Sequence, residues 1–244
     1  MNRQRGPGAP HVVELLGASE EDADADGQAA ARLVERLVAQ LGQSGALRFT
    51  VLCTAEGPQA ERLRALGAEL VIVPMPDDPP WHAIQVLVGL IRSRDVDVLH
   101  AHLPGAHRLA GLAGRITGVP VLCTVQGQQI DMPDLEVHRM IGSQLSVVSE
   151  ASYFHALGLG IAPERLGCDA FDAEADMAAQ TASLQAIGQR LVGIAVAAAV
   201  APAADPMGEA PSRGLAQARA LVQPLQPQQA LQPLQPLQPQ RPAR

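Results

Sequence analysis

There is no lysine in this chain; all 18 basic residues are arginine. That absence excludes Schiff-base chemistry and any phosphate loop that depends on a lysine. Aromatic side chains are nearly missing too, at 2%, although 47% of the residues are hydrophobic. The core must therefore be built from Val, Leu, Ile and Ala, and there is almost no platform on which bases could stack. Positive charge is scarce: the net charge is −7 and no basic stripe occurs, which argues against a nucleic-acid partner. The longest late apolar run, residues 191–204, is Ala-rich and falls short of the roughly 20 residues of a bilayer span. The N-terminal MNRQRGPGAP has no apolar segment of the signal-peptide kind. Cysteines are few and odd in number, at 53, 123 and 168, and two of them lie in near-identical VLCT runs. They read as buried strand thiols in a reducing compartment. The expectation is a cytoplasmic protein without a transmembrane segment.

What is present is alternation. Short β-branched runs occur at 11–17, 47–54, 68–74, 96–102, 119–125 and 144–149. They are almost continuously apolar, as strands covered on both faces should be. Between them lie helical patterns. Leu33, Val34, Leu37, Val38 and Leu41 form one stripe, while Arg32, Glu35, Arg36 and Gln40 face away. Further helices are expected over 57–67, 80–94 and 105–117. Strand-helix-strand repeated in this way predicts an α/β fold, a single doubly wound, mainly parallel Rossmann-like sheet with helices on both faces.

The alternation defines one domain over 10–167, after a disordered N-terminus at 1–9. An Ala-rich, partly helical segment follows over 168–221. From 222 to 244 the chain is a Leu-Gln-Pro near-repeat, which reads as a disordered, polyproline-like tail.

In such a sheet ligands bind beyond the carboxyl ends of the strands, where the strand order reverses. With the order 3-2-1-4-5-6, strands one and four flank that point. Strand four ends in His100-Ala101-His102. Strand one ends in Gly17, before the acidic loop ASEEDADAD and Gly27, which opens the first helix. Strand five ends in Gln126-Gly127 and strand six in Ser149-Glu150. GxGxxG is absent, which disfavours a nicotinamide enzyme. The two histidines admit three readings: substrate contact, satisfied packing, or a metal site. The last is how metal-dependent amidohydrolases begin, but these need an eight-stranded barrel of about 250 residues. No metal is expected. The Asp-x-Asp spacing in DADAD reads as a solvated loop, and that acidic loop would repel a diphosphate brought close. Trp81 is expected to pack at the start of the third helix, and Arg108 and Arg115 to form a solvated helix face.

The stretch DVDVLHAHLPGAHRLAGLAGRITGVPVLCTVQGQ, followed by QLSVVSEAS and GLGIAPERL, resembles the N-terminal half of glycosyltransferase family 4. That family runs Asp-Val-Val-His-Ala-His, helix, Thr-Gly-Val-Pro-Val-Val-x-Thr-x-His-Gly, then Val-Ser-Glu. The resemblance covers residues 10 to about 167. It implies a retaining sugar transferase of the GT-B type, with an acceptor-side domain facing a nucleotide-sugar domain. Gly27 would lie near the donor phosphates, His102 would match the second histidine of the strand-four motif, and Ser149 and Glu150 the pair after strand six. The implied cleft comprises Gly17, Gly27, Gln28, His100, His102, Gln126, Gly127, Ser149 and Glu150.

Three departures stand out. The family's interdomain strand ending in Asn-Gly-Val-Asp is contracted, for ERLGCDAF keeps Gly167 and Asp169 and lacks the Asn. Gln126 replaces the family's histidine, and a Gln can hydrogen-bond a hydroxyl but cannot exchange a proton near neutral pH. The donor half, with its Arg/Lys clamp and Glu-x7-Glu signature, is not visible in the chain. The expected role is acceptor-side: a small or lipid-linked hydroxyl acceptor, a nucleotide-sugar as co-substrate and no other cofactor. A separate donor-binding chain would complete the enzyme. The alternative is a truncated, non-catalytic domain that binds a ligand or partner.

Overall fold

The computed structural model describes residues 8–17, 24–169 and 176–200. Seven strands form one sheet: β1 His11–Leu16, β2 Arg48–Cys53, β3 Glu69–Ile72, β4 Val98–His102, β5 Val121–Val125, β6 Gln144–Val147 and β7 Leu166–Cys168. Their order is β3-β2-β1-β4-β5-β6-β7, and every neighbouring pair is parallel. The order reverses between β1 and β4, where the sequence places it. β1, β4 and β5 are buried at every residue, which is why their sequences do not alternate.

The helices are α1 Ala25–Leu37, α2 Pro58–Ala65, α3 Trp81–Arg94, α4 Pro104–Thr117, α5 Met132–Ile141, α6 Glu150–Gly158 and α7 Met177–Val200. A π turn, Val38–Gly42, prolongs α1, and a 3-10 turn, Pro163–Arg165, precedes β7. Their ends follow local chemistry. Asp24 caps α1 and Ser149 caps α6. Pro sits in the first turn of α2, α4 and α5, where a missing N–H costs nothing. Gly118 ends α4 in the left-handed conformation, φ 76°.

The sheet separates two packed layers. On one face Val12, Leu16, Val51, Val98 and Leu122 meet Leu33, Val34 and Leu37 of α1. On the other, Val13, Leu15, Leu99 and Ala101 meet Leu87 and Ile91 of α3 and Leu109 and Ala113 of α4. A third cluster, around Cys123, Leu145, Val147 and Leu166, fills the β5–β7 side. Gly105, in the first turn of α4, lets that helix touch the backbone before α3. A Cβ there would lie 2.2 Å from the Met75 carbonyl oxygen.

Two features extend the domain beyond the sequence expectation. β7 is a seventh strand, added at the sheet edge. α7 is one continuous 24-residue helix whose stripe Leu184, Ile187, Leu191, Ile194 and Ala195 is buried in the same core as α1 and β1. By length and composition α7 is apolar enough to cross a membrane, with a mean hydropathy of 1.4. That stripe is nevertheless spent on the protein's own core. Arg190 of α7 reaches back to Asp169, just after β7, with Nε 2.5 Å from Oδ2. Ser146 of β6 donates to the same Oδ2 at 2.9 Å. A Cβ at Gly167 would fall on the Arg190 guanidinium, so that glycine makes the room for it. Residues 201–244, with the Leu-Gln-Pro repeat, lie outside the described residues, as do 1–7, residues 18–23 of the acidic loop and 170–175.

Candidate functional site

The two histidines of β4 are not on a surface. His100 and His102 are both fully buried, and they share the α1/α7 face of the sheet with Glu14 of β1. Glu14 pairs in register with His100, and Leu16 with His102. The Glu14 carboxylate spans both rings. His100 Nδ1 lies 3.1 Å from Oε1 and 2.9 Å from Oε2, and His102 Nε2 lies 2.9 Å from Oε2. On its other side His100 Nε2 pairs with the Thr124 hydroxyl of β5 at 2.8 Å. The ring centroids of the histidines are 4.3 Å apart.

Electrostatics fixes the protonation of two of these groups. Burial pushes the Glu14 carboxyl up, but the neighbouring His100 and hydrogen bonds from both rings overrule it and hold it at about 2. Burial and the adjacent His100 push His102 down to about 4 against the opposing pull of Glu14. His102 is thus a neutral ring beside a carboxylate that only accepts, so its proton sits on Nε2 and is donated to Glu14. Nδ1 is left as a bare lone pair, buried and without a partner. Two further buried polar atoms at carboxyl ends of strands are also unpartnered, Thr54 Oγ1 just past β2 and Gln126 Nε2 just past β5. Such atoms are rare in folded proteins and mark places that a ligand or water completes.

Backbone strain lies at the same point. Leu103, directly after His102, has φ 73° and ψ 153°, a region that is almost exclusively glycine's. A conformation of this kind costs about 1–3 kcal/mol and clusters at functional sites.

Several of the other residues named from the sequence lie at neighbouring strand and helix ends. A Cβ on Gly17 would meet the His102 carbonyl oxygen and the Leu103 Cβ, each at 3.2 Å, so the end of β1 presses on the end of β4. The loop holding Gly127 touches the first turn of α1, with Asp26 Oδ2 3.1 Å from where a Gly127 Cβ would be. Ser152 of α6 donates to the carbonyl of Gln128 at 3.0 Å and so ties the β5 loop to the β6 loop. Ser149 serves as the helix cap, with its Oγ 3.1 Å from the Ser152 N–H. Gln28 and Glu150 are exposed at the starts of α1 and α6. The Gly27 N–H donates to Asp24 Oδ1 at 2.9 Å. Asp26 is pushed up by partial burial and by its neighbours Asp24 and Asp131, which gives the rim an anionic character.

Glu14 is the residue that sequence reasoning missed. Its signal was one carboxylate in the middle of an otherwise apolar strand, HVVELL. A charge at such a place is affordable only with partners. Trp81 differs from expectation as well. It stands at the first position of α3 but is 65% exposed and packs on little. Arg108 pairs with Glu136 of α5 at 3.3 Å, in keeping with a solvated helix face. A hollow of about 260 Å³ lies elsewhere, between the end of α1 and the start of α7, lined by Arg36, Gln40, Met177 and Gln180. α1 runs antiparallel to the strands, so this hollow is at their amino ends, away from the histidines.

Comparison with known proteins agrees with this architecture. The sequence matches the glycosyl transferase 4-like domain over residues 28–225. No curated protein matches it. Among solved structures, a glycosyltransferase from Rickettsia africae superposes with a TM-score of 0.55 at 14% identity, over 73% of this chain and 49% of that one. Two others superpose too loosely to carry an argument. Anabaena Alr3699/HepE, crystallised with UDP and glucose, gives a TM-score of 0.49 at 13% identity over 64% of this chain and 43% of its own. Acinetobacter baumannii MurG gives 0.46 at 15% identity over 59% and 42%. The chain thus spans about half the length of the Rickettsia structure whose fold it shares. With four fifths of its residues inside the family match, this chain belongs to the glycosyl transferase 4-like domain family.

Proposed function

We propose that this glycosyltransferase-like domain is the acceptor side of a retaining sugar transferase, and that the nucleotide-sugar is brought by a separate donor-binding domain or chain. The observation that carries the reading is the bare Nδ1 of His102. Held by Glu14 through Nε2–H, the ring keeps a buried acceptor at the carboxyl end of β4 that only a donor such as a hydroxyl can satisfy. Gln126 offers an unpaired N–H beyond the neighbouring strand β5, and a hydroxyl both donates and accepts. The rim supports the acceptor role over the donor role. Asp24, Asp26 and Asp131 put negative charge where a diphosphate would come, and Asp24 already occupies the Gly27 N–H. Catalysis would then be positional: the domain orients the hydroxyl, and cationic groups supplied with the donor stabilise the departing diphosphate.

Ligand-observed NMR with a panel of sugar and lipid-linked hydroxyl acceptors, and separately with nucleotide-sugars, tests this. An acceptor should bind, and His102→Ala should lose it by tenfold or more. Binding should be level from pH 8 to 6 and fall only as the pH approaches 4, where His102 takes a proton on Nδ1. Tight binding of a nucleotide-sugar to this chain alone, unchanged in His102→Ala, would refute the reading. A second reading, a binding domain without turnover, is favoured by Gln126, which stands in the family's histidine position and cannot move a proton. Hydroxyl binding without transfer, even with a donor-binding partner present, would select it.

A further inference from the structure

On the opposite face of the sheet lies a second buried cluster that the crevice does not use. His107 comes from the first turn of α4, Cys123 from the middle of β5, Asp134 from the first turn of α5, and Ser143 from the turn after α5. His107, Cys123, Asp134 and Ser143 are all no more than 3% exposed. His107 Nδ1 is 2.8 Å from Asp134 Oδ1, and Cys123 Sγ donates to the same oxygen at 3.9 Å. One donor atom from each of His107, Cys123 and Asp134 lies within 4.8 Å of the other two. His107 Nε2 is 3.0 Å from Ser143 Oγ. His138 Nδ1 rests on the Ser143 carbonyl at 2.8 Å, fixing that turn from behind.

We propose that His107, Cys123 and Asp134 supply three of the four ligands of a zinc-class transition-metal ion, a water taking the fourth position, and that the ion clamps α4, β5 and α5 together. Three arguments choose this chemistry. The donors are one nitrogen, one sulfur and one oxygen, a set that suits zinc and not the oxygen-seeking calcium or magnesium. Zinc bonds of about 2.0–2.3 Å at tetrahedral angles put donors about 3.3–3.6 Å apart, so the present spacings need adjustments on the order of 1 Å. Charge decides between this cluster and Glu14, His100 and His102, whose donors are equally close. A divalent ion with one thiolate, one carboxylate and a neutral imidazole sums to zero. The same ion on Glu14 and two imidazoles would leave a net positive charge where nothing is exposed to water, and that is costly.

The protons balance simply. The ion replaces the Cys123 thiol proton, which is released to solvent, and takes His107 at Nδ1. The ring's proton moves to Nε2, where Ser143 Oγ accepts it, the outer partner that a metal-bound histidine ordinarily has. His107 and Cys123 are both fully buried, so the ion enters as α5 docks and is held once folding is complete.

Cobalt is the probe, because a cobalt–thiolate bond gives a near-ultraviolet charge-transfer band that nitrogen and oxygen ligands do not. Chelator-treated protein is titrated with Co²⁺ while folded, and also refolded from urea in its presence. The Cys53→Ser/Cys168→Ser double variant should show the band at one cobalt per chain, displaced by zinc. Cys123→Ser should lose it, and Ser143→Ala should weaken binding by about 10–100-fold. Absence of the band in the folded double variant by both routes, or its persistence in Cys123→Ser, would overturn the proposal. Circular dichroism on each variant separates loss of the site from loss of the fold. The acceptor reading does not enter this test, since neither the crevice nor its ligand is involved.

Discussion

Glu14→Gln is the substitution on which the account of the crevice stands or falls. It keeps the shape of the side chain and removes one charge from a site with no exposure to water. The native carboxyl is held at about 2 against an ordinary value of 4.5. The folded state therefore favours the ionised form over the neutral one by about 3 kcal/mol, at about 1.4 kcal/mol per pH unit. Gln imitates the neutral form, so the variant should be less stable by about 3 kcal/mol at pH 7. The sign of the pH dependence follows. A depressed acid contributes fully above its unfolded value and loses that contribution as the pH falls toward its folded one. The difference between wild type and variant should therefore shrink below pH 4.5, to roughly 1 kcal/mol at pH 3. There is a second consequence. An amide has one donor edge, and turned toward His102 it would make Nε2 the acceptor and Nδ1 the N–H, reversing what the crevice offers. Urea denaturation at pH 7 and pH 3, with ¹⁵N spectra of the ring nitrogens, reads both effects. A cost below about 1 kcal/mol at pH 7 together with an unchanged tautomer would show that Glu14 does not organise the site.

Two other substitutions test the frame around it. Leu191→Ala, at a position of α7 with no exposure, should cost about 2–5 kcal/mol in urea denaturation; a loss under 1 kcal/mol would mean that α7 is not part of the core. Gly105→Ala puts a methyl 2.2 Å from a backbone oxygen and should cost at least the 1–3 kcal/mol or so of overpacking. Gly89→Ala, on an exposed stretch of α3 with nothing within 4 Å, should by contrast stabilise by about 0.5–1 kcal/mol, which makes it the paired control in thermal melts.

The fold was largely legible because burial on both faces leaves a long apolar trace. The six expected strands all form, each within two residues of its expected boundaries, and the order reverses between β1 and β4 as anticipated. β7 is legible only as a contracted remnant of the family's interdomain strand, because its three residues, Leu-Gly-Cys, carry no period. α7 was visible only as an Ala-rich stretch, since small residues satisfy helical and irregular readings alike; its stripe becomes evident only once α1 and β1 are there to receive it. At the site, the strand ends were legible and the chemistry was not. His100 and His102 could be placed on β4 from the sequence, but whether they met ligand, metal or each other depended on Glu14, 86 and 88 residues away. Nothing local to LHAHLPG names that partner. The same applies to Asp134 and Ser143, which no spacing links to His107.

The packing of α7 has a consequence for how the protein comes into being. The layer that covers β4 closes with Leu191 and Ile194 of α7, which leave the ribosome roughly 90 residues after that strand. Until then the sheet has one finished side and one with a gap, beneath which a glutamate and two histidines are still within reach of water. Closing so long a loop is slow relative to local helix formation. An incompletely synthesised chain therefore exposes an apolar trough, and a chaperone has most reason to hold it at that stage. The making of α7 sets the timing of that strand's burial.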